Sequence, residues 1–263
     1  MVKISADRIF GISSDEQFRE LALEVFQFQA AGNPVYKAYL NHLGILPESI
    51  TSLDEIPFLP LEFFKWHRVV TGDLDHEVIF ESSGTTSENT SKHYVCDLDL
   101  YQRSFTSAFR LFYGDPSKFC ILALLPAYLE KQHSSLIYMA NELIGLSGHP
   151  GSGFYLDGFK GLIHQLETLE NEQQPTLLLG VSFALLDLAD HFPLNLNNTI
   201  VMETGGMKGR REELTRKELH ERLCLGLKMG TIHSEYGMTE LLSQAYAKKD
   251  GIFHSPPWMS VLI

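Results

Sequence analysis

Three short runs gather the residues of this chain that could do chemistry. In ESSGTTS, residues 81–87, Ser82, Ser83, Thr85, Thr86 and Ser87 crowd around Gly84. A glycine there lets the main chain approach an anion, while hydroxyls and successive amides donate to phosphate oxygens. In ETGGMKG, residues 203–209, the pair Gly205-Gly206 leaves room for a flat or bulky group against the backbone. In EYGMTE, residues 235–240, Tyr236 brings an aromatic face, Thr239 a hydroxyl and Glu240 a hard carboxylate suited to Mg²⁺ carrying phosphate oxygens. Taken singly, each has a plainer reading: a solvated turn, a tight turn, a core tyrosine, a surface or helix-terminal carboxylate. What sets them apart is that each follows a run that reads as a strand.

The elements that must position these runs follow from apolar spacing. A helix begins at Ser14 and carries Phe18, Leu21, Leu23, Val25, Phe26 and Phe28 on its apolar positions until Gly32-Asn33-Pro34 stops it, and a second runs over Val35 to Leu43. IPFLPLEFFKWHRVVTG mixes prolines with aromatics and reads as an extended, packed connector. Strand EVIFES enters the first loop; a helix over Asp99 to Tyr113 and the buried strand FCILALLP follow. Beyond Pro126, helices are expected in SSLIYMANELI, over Gly158 to Glu170, in ALLDLADHF and in REELTRKELHERL. Strands are expected in TLLLGVS, NTIVMETGG and TIHSEYG. This alternation predicts an α/β fold with a largely parallel sheet, whose ligand-bearing loops sit at the carboxyl ends of the strands. The expected division is a helical region and connector over 1–75, packed on an α/β core over 76–263.

Composition narrows the function. The 263 residues are 44% hydrophobic and 21% charged, enough to bury a core, and the formal charge of −12 lacks the basic excess a nucleic-acid binder needs. Cys96, Cys120 and Cys224 are odd in number and far apart, which argues against a disulfide framework or a structural zinc site. No run has the length of a membrane span, and the N-terminal residues have no signal-peptide core, so a cytoplasmic location is expected. There is no Gly-x-x-x-x-Gly-Lys-Ser/Thr, which disfavours a P-loop nucleotidase.

SSGTT at 82–86, followed by Lys92, and YGMTE at 236–240 resemble the two signature motifs of the AMP-forming adenylating ligases. That superfamily includes acyl-CoA synthetases, peptide-synthetase adenylation domains and luciferases. PFLPLEFFK, LPAYLEKQHSSLIYMAN, ETGGMKGR and EYGMTELLSQAY are similar to the acyl-protein synthetase branch, the fatty-acid-activating component of bacterial bioluminescence, from about Pro57 to Ile263. The resemblance implies the large N-terminal domain of such a ligase, with ATP and Mg²⁺. A carboxylic acid, fatty acids among the candidates, is activated to an acyl-adenylate and passed to a protein or carrier thiol.

It implies phosphate contacts from Ser82, Ser83, Gly84, Thr85, Thr86 and Lys92, adenine contacts from Gly205, Gly206, Tyr236 and Gly237, a catalytic part for Thr85, Thr239 and Glu240, and Mg²⁺ on Glu240. His133 and Tyr128 become candidates for the acid pocket, and reductase or transferase proteins candidate partners. The sequence departs from the superfamily pattern after Thr86, where Ser87-Glu88-Asn89-Thr90-Ser91 replaces the usual run before the lysine. It also stops where family members continue into a hinge and a small C-terminal domain, so the expectation is a core incomplete at its C-terminus.

Two alternatives stay open. A non-catalytic nucleotide-binding scaffold derived from such a ligase would keep the same motifs. In GVSFA, residues 180–184, Ser182 stands between a strand and a helix as in a hydrolase nucleophile turn, with His220, His233 or His254 as candidate bases.

Overall fold

A computed structural model of the chain describes residues 4–82, 90–126, 133–155, 159–207 and 209–262. Contacts group them into two compact units: Met1–Ser104 with Met238–Ser243 and Ser255–Ile263, and Phe105–Gly237 with Gln244–His254.

In the first unit, helices α1 (Ala6–Phe10), α2 (Asp15–Gly32) and α3 (Pro34–Leu43) come first. Ser14 caps α2 by accepting from the Gln17 amide, with Asp15 and Glu16 in the first turn against the positive end of the helix. Asn33 ends α2 and starts α3: its side chain accepts from the Val35 and Tyr36 amides while Pro34 takes the first helical position. Phe26 and Ala30 of α2 pack on Tyr36 and Leu40 of α3, joined by Ile45, Ile56 and Leu59. The Tyr36 hydroxyl donates to the Pro57 carbonyl at 2.8 Å, tying the connector to this core. The connector is extended as expected except for one helical turn, α4 (Phe63–Trp66). Strands β1 (Val78–Glu81) and β2 (Lys92–Val95) then form an antiparallel pair with Val78 opposite Val95 and Glu81 opposite Lys92. Helix α5 (Leu98–Tyr113) follows, its first half counted with this unit and its second half with the other.

The second unit is an α/β layer around a six-stranded sheet in the order β4-β3-β5-β6-β7-β8. Its strands are β3 (Cys120–Leu124), β4 (Gly153–Phe154), β5 (Thr176–Val181), β6 (Thr199–Thr204), β7 (His233–Tyr236) and β8 (Ala245–Ala247). All neighbours are parallel except β7 and β8. Every residue of β3 and β5 is buried, the continuous apolar pattern of strands covered on both faces. The crossovers carry α6 (Ser135–Ser147), α7 (Phe159–Asn171), α8 (Ser182–His191) and α9 (Arg216–Leu227). Thr215 and Glu218 close a reciprocal cap at the start of α9. No described helix is long and apolar enough to cross a membrane.

Candidate functional site

Strands β6 and β7 lie side by side and parallel, with Glu203 opposite Ser234. Gly205-Gly206 and Tyr236-Gly237 therefore leave neighbouring strands at the carboxyl end of the sheet, where open α/β sheets hold their ligands. Gly205 has φ of +67°, a left-handed conformation that a side chain would strain. A Cβ built on Gly206 meets nothing within 4 Å, so open space borders the turn. Tyr236 is 39% exposed, and its ring stands edge-on to Phe253 at 5.9 Å. The Arg216 guanidinium covers the Phe253 face at 4.6 Å.

Beneath these two turns is a polar cluster that their sequences did not announce. Thr204 Oγ1 donates to Glu235 Oε2 at 2.6 Å, joining the residue before Gly205 to the residue before Tyr236. A Cβ on Gly237 would come within 2.7 Å of Glu235 Oε1, so glycine is what lets the turn close over this carboxyl group. Ser182 Oγ lies 2.9 Å from the Gly205 carbonyl and 3.2 Å from Glu203 Oε2. Glu203 Oε1 is 3.3 Å from Arg216 Nε and 3.6 Å from His220 Nε2, close contacts without the alignment of a hydrogen bond.

The two carboxyl groups are driven apart in acidity. Burial pushes Glu203 up, but His220, Ser234 and Arg216 outweigh it and hold the group below the usual carboxylate range. Glu235 is pushed up to about 7 by burial, with the charge of Glu203 acting in the same direction and the Thr204 hydrogen bond opposing both. One of the pair is thus held ionised and the other is inclined to keep its proton.

The predicted phosphate-binding residues belong to the first unit. Ser82 closes the base of its loop: its amide donates to the Ser91 carbonyl at 3.0 Å, and its Oγ accepts from the Ser91 amide at 3.0 Å. Ser83, Gly84, Thr85, Thr86 and Ser87 lie outside the described residues, as does Tyr128. Lys92 faces Glu81 across the hairpin, Nζ to Oε1 3.7 Å, so its charge already has a carboxylate neighbour.

Next to Lys92 stands a residue that the sequence did not single out. His93 Nδ1 lies 2.9 Å from the Thr239 carbonyl, and its ring stands edge-on to Phe64 at 5.7 Å. A carbonyl only accepts, so Nδ1 carries the proton. Burial pulls the His93 pKa down, against the Thr239 hydrogen bond and the nearby charge of Glu240, which keeps the ring neutral. The imidazole thereby pins the stretch bearing Thr239 and Glu240 to β2. The only sequence signal for it was its place among the alternating residues that leave the loop. Glu240 is half-buried, and among the described residues no group of three or more His, Cys, Asp or Glu side chains could hold a metal.

His133 is exposed, one residue before the Ser134 cap of α6. Ser182 is 1% exposed and its hydroxyl meets a carboxylate and a carbonyl. Of the candidate bases, His220 Nε2 lies 3.2 Å from the Ser234 hydroxyl and His233 Nδ1 3.1 Å from the Tyr113 hydroxyl. Gly180 has its own reason to be glycine, since a Cβ there would come within 2.7 Å of the Leu185 side chain. Burial raises all three thiols, Cys96, Cys120 and Cys224, which makes each a poorer nucleophile at neutral pH. No protein-family model matches the chain, and no curated protein matches it.

Proposed function

We propose that the chain is a nucleotide-binding α/β core of the AMP-forming ligase type, which activates a carboxylic acid with Mg·ATP to an acyl-adenylate for transfer to a thiol. The observation that carries this reading is the pairing of Gly205-Gly206 with Tyr236-Gly237 on adjacent parallel strands, held by the Thr204–Glu235 hydrogen bond. A turn with open space at Gly206 beside a half-exposed aromatic ring suits a flat base.

Tyr236-Gly237 and Met238-Thr239-Glu240 are consecutive, so the run that offers the ring also carries the hydroxyl and carboxylate assigned to the phosphates. A lone half-buried carboxylate is in keeping with Mg²⁺, which keeps several waters and takes one or two carboxylates alongside substrate phosphates. Glu240 would hold it, and the ion would neutralise phosphate charge. Thr239, its carbonyl fixed by His93, would orient the α-phosphate for in-line attack by the acid.

A carboxylate-dependent ATP–pyrophosphate exchange screen with fatty, aromatic and hydroxy acids tests the reaction class. Exchange with any acid supports adenylation. Mg·ATP binding without exchange for every acid supports a nucleotide-binding scaffold, and absence of ATP binding removes both readings.

A further inference from the structure

Helix α2 carries more apolar surface than its packing on α3 uses. Phe26 and Ala30 face α3, while Phe18, Ala22 and Val25, spaced by four and three residues, form a second stripe. That stripe lines an open cavity of about 390 Å³ within the first unit, bordered by α1, the connector around Phe58 and Phe64, and Trp258. The volume falls in the range of small-molecule sites.

Among the described residues, no charged side chain borders this lumen. Of its polar members, Tyr36 donates to Pro57 and Asn33 caps α3, while Gln29 and Ser260 stand at its wall as uncharged polar groups. Trp258 Nε1 is sealed from water with no hydrogen-bond partner among the described residues, so the indole adds no accessible donor, and its ring packs on Phe10 at 5.1 Å.

The lumen adjoins a second compartment of about 780 Å³, with Ile12, Phe18, Leu53, Ser260 and Leu262 bordering both. The second compartment is mixed: Asp15, Arg19, Asp54 and serine hydroxyls border it together with Leu23, Pro256 and Met259. An uncharged apolar lumen that adjoins a mixed chamber carrying charges of both signs suits a molecule with an apolar chain and a small polar head. We infer that the first unit holds a binding site for a single-chain amphiphile, with the alkyl chain in the apolar lumen and an uncharged or zwitterionic head in the adjoining chamber. A polyanionic head would meet Asp15 and Asp54 and is disfavoured. The site stands apart from the nucleotide reading and needs no ATP.

The test uses the two tryptophans of the chain, Trp66 and Trp258. In a Trp66→Phe background, Trp258 becomes the only indole, and bromoundecanol with its bromine at the chain end quenches it on close approach. The expected result is saturable one-to-one quenching below the critical micelle concentration. Affinity should fall about tenfold or more when Ala22→Phe fills the lumen. A smaller loss is expected in Phe58→Ser, a change at a rim residue that is 65% exposed and leaves the core alone. Vesicles of chain-brominated phosphatidylcholine distinguish a free amphiphile from a membrane surface. Absence of saturable quenching, equal affinity in both variants with native circular dichroism, or quenching by vesicles alone would each overturn the proposal.

Discussion

Replacing Glu235 by glutamine tests whether two carboxyl groups really share the end of the β6–β7 pair in unequal ionisation. The displacement of Glu235 from 4.5 to about 7 corresponds to about 3 kcal/mol between its two protonation states. Its sign is fixed by which state releases the proton first. Below pH 4.5 folded and unfolded chains both hold the proton and the contribution is fully present. Between 4.5 and about 7 the unfolded chain releases it while the folded chain keeps it, so stability drains away as pH rises. Glutamine mimics the protonated carboxyl and has no proton to lose. Wild-type stability measured by urea unfolding should therefore fall relative to Glu235→Gln by about 2 to 3 kcal/mol from about pH 5 to about pH 8. His233, pulled down to about 4 by burial, Lys248 and His220, gives stability that rises with pH through part of the same window. It is present in both proteins, so the difference between them isolates Glu235. Glu203, held below its ordinary value, acts only at lower pH. Parallel pH profiles for the two proteins would refute the assignment of a buried proton to Glu235.

Three further outcomes follow from the site geometry. Gly205→Ala should cost about 1–2 kcal/mol of stability because the residue is left-handed, whereas Gly206→Ala, with open space around its Cβ, should leave unfolding within about 0.5 kcal/mol and weaken ATP binding in calorimetry. Tyr236→Ala should weaken ATP and AMP by similar factors, since both carry the base assigned to this ring; selective loss of ATP would contradict that placement. His93→Ala should lower Mg²⁺-dependent ATP affinity by about 1 kcal/mol through release of the Thr239 carbonyl, with His93→Asn, which keeps a donor near the Nδ1 position, losing less; titration calorimetry with and without Mg²⁺ separates the two.

The parts of the fold that could be read in advance are those whose local chemistry agrees with their tertiary role. α2 and α3 announce themselves because Ser14 and Asn33 cap them and Pro34 starts the second. β3 and β5 do so because unbroken apolar runs of that length suit a strand buried on both faces. β2, β4 and β8 were not legible. β2 reads Lys-His-Tyr-Val with an exposed first residue, β4 has two residues, and β8 is a three-residue antiparallel edge whose pairing is with β7. Short elements of this kind carry too few side chains to set a period, and only their partner defines them.

The same distinction holds for the site. Gly205, Gly206 and Tyr236 were visible because turn chemistry and an aromatic beside a glycine are local signals. Glu203 and Glu235 were not, although both stand inside the runs that drew attention, because 31 residues separate Thr204 from Glu235 and only strand register makes them partners. Their acidity then depends on which of them receives the stabilising neighbours. Glu203 has Arg216 and His220 of α9 against it, while Glu235 has Thr204 alone to oppose complete burial. A structural purpose alone would be met as well by two apolar side chains, since a buried carboxyl group contributes little that close packing does not. What the polar pair adds is direction: Ser182 reaches the Gly205 carbonyl from the Glu203 side, and Thr204 reaches under Tyr236 from the Glu235 side. The two turns are thereby fixed to one another by hydrogen bonds with defined geometry, which apolar contacts would leave free to slide. Fixed turns at a strand end are what a site needs when its task is to orient a bound group.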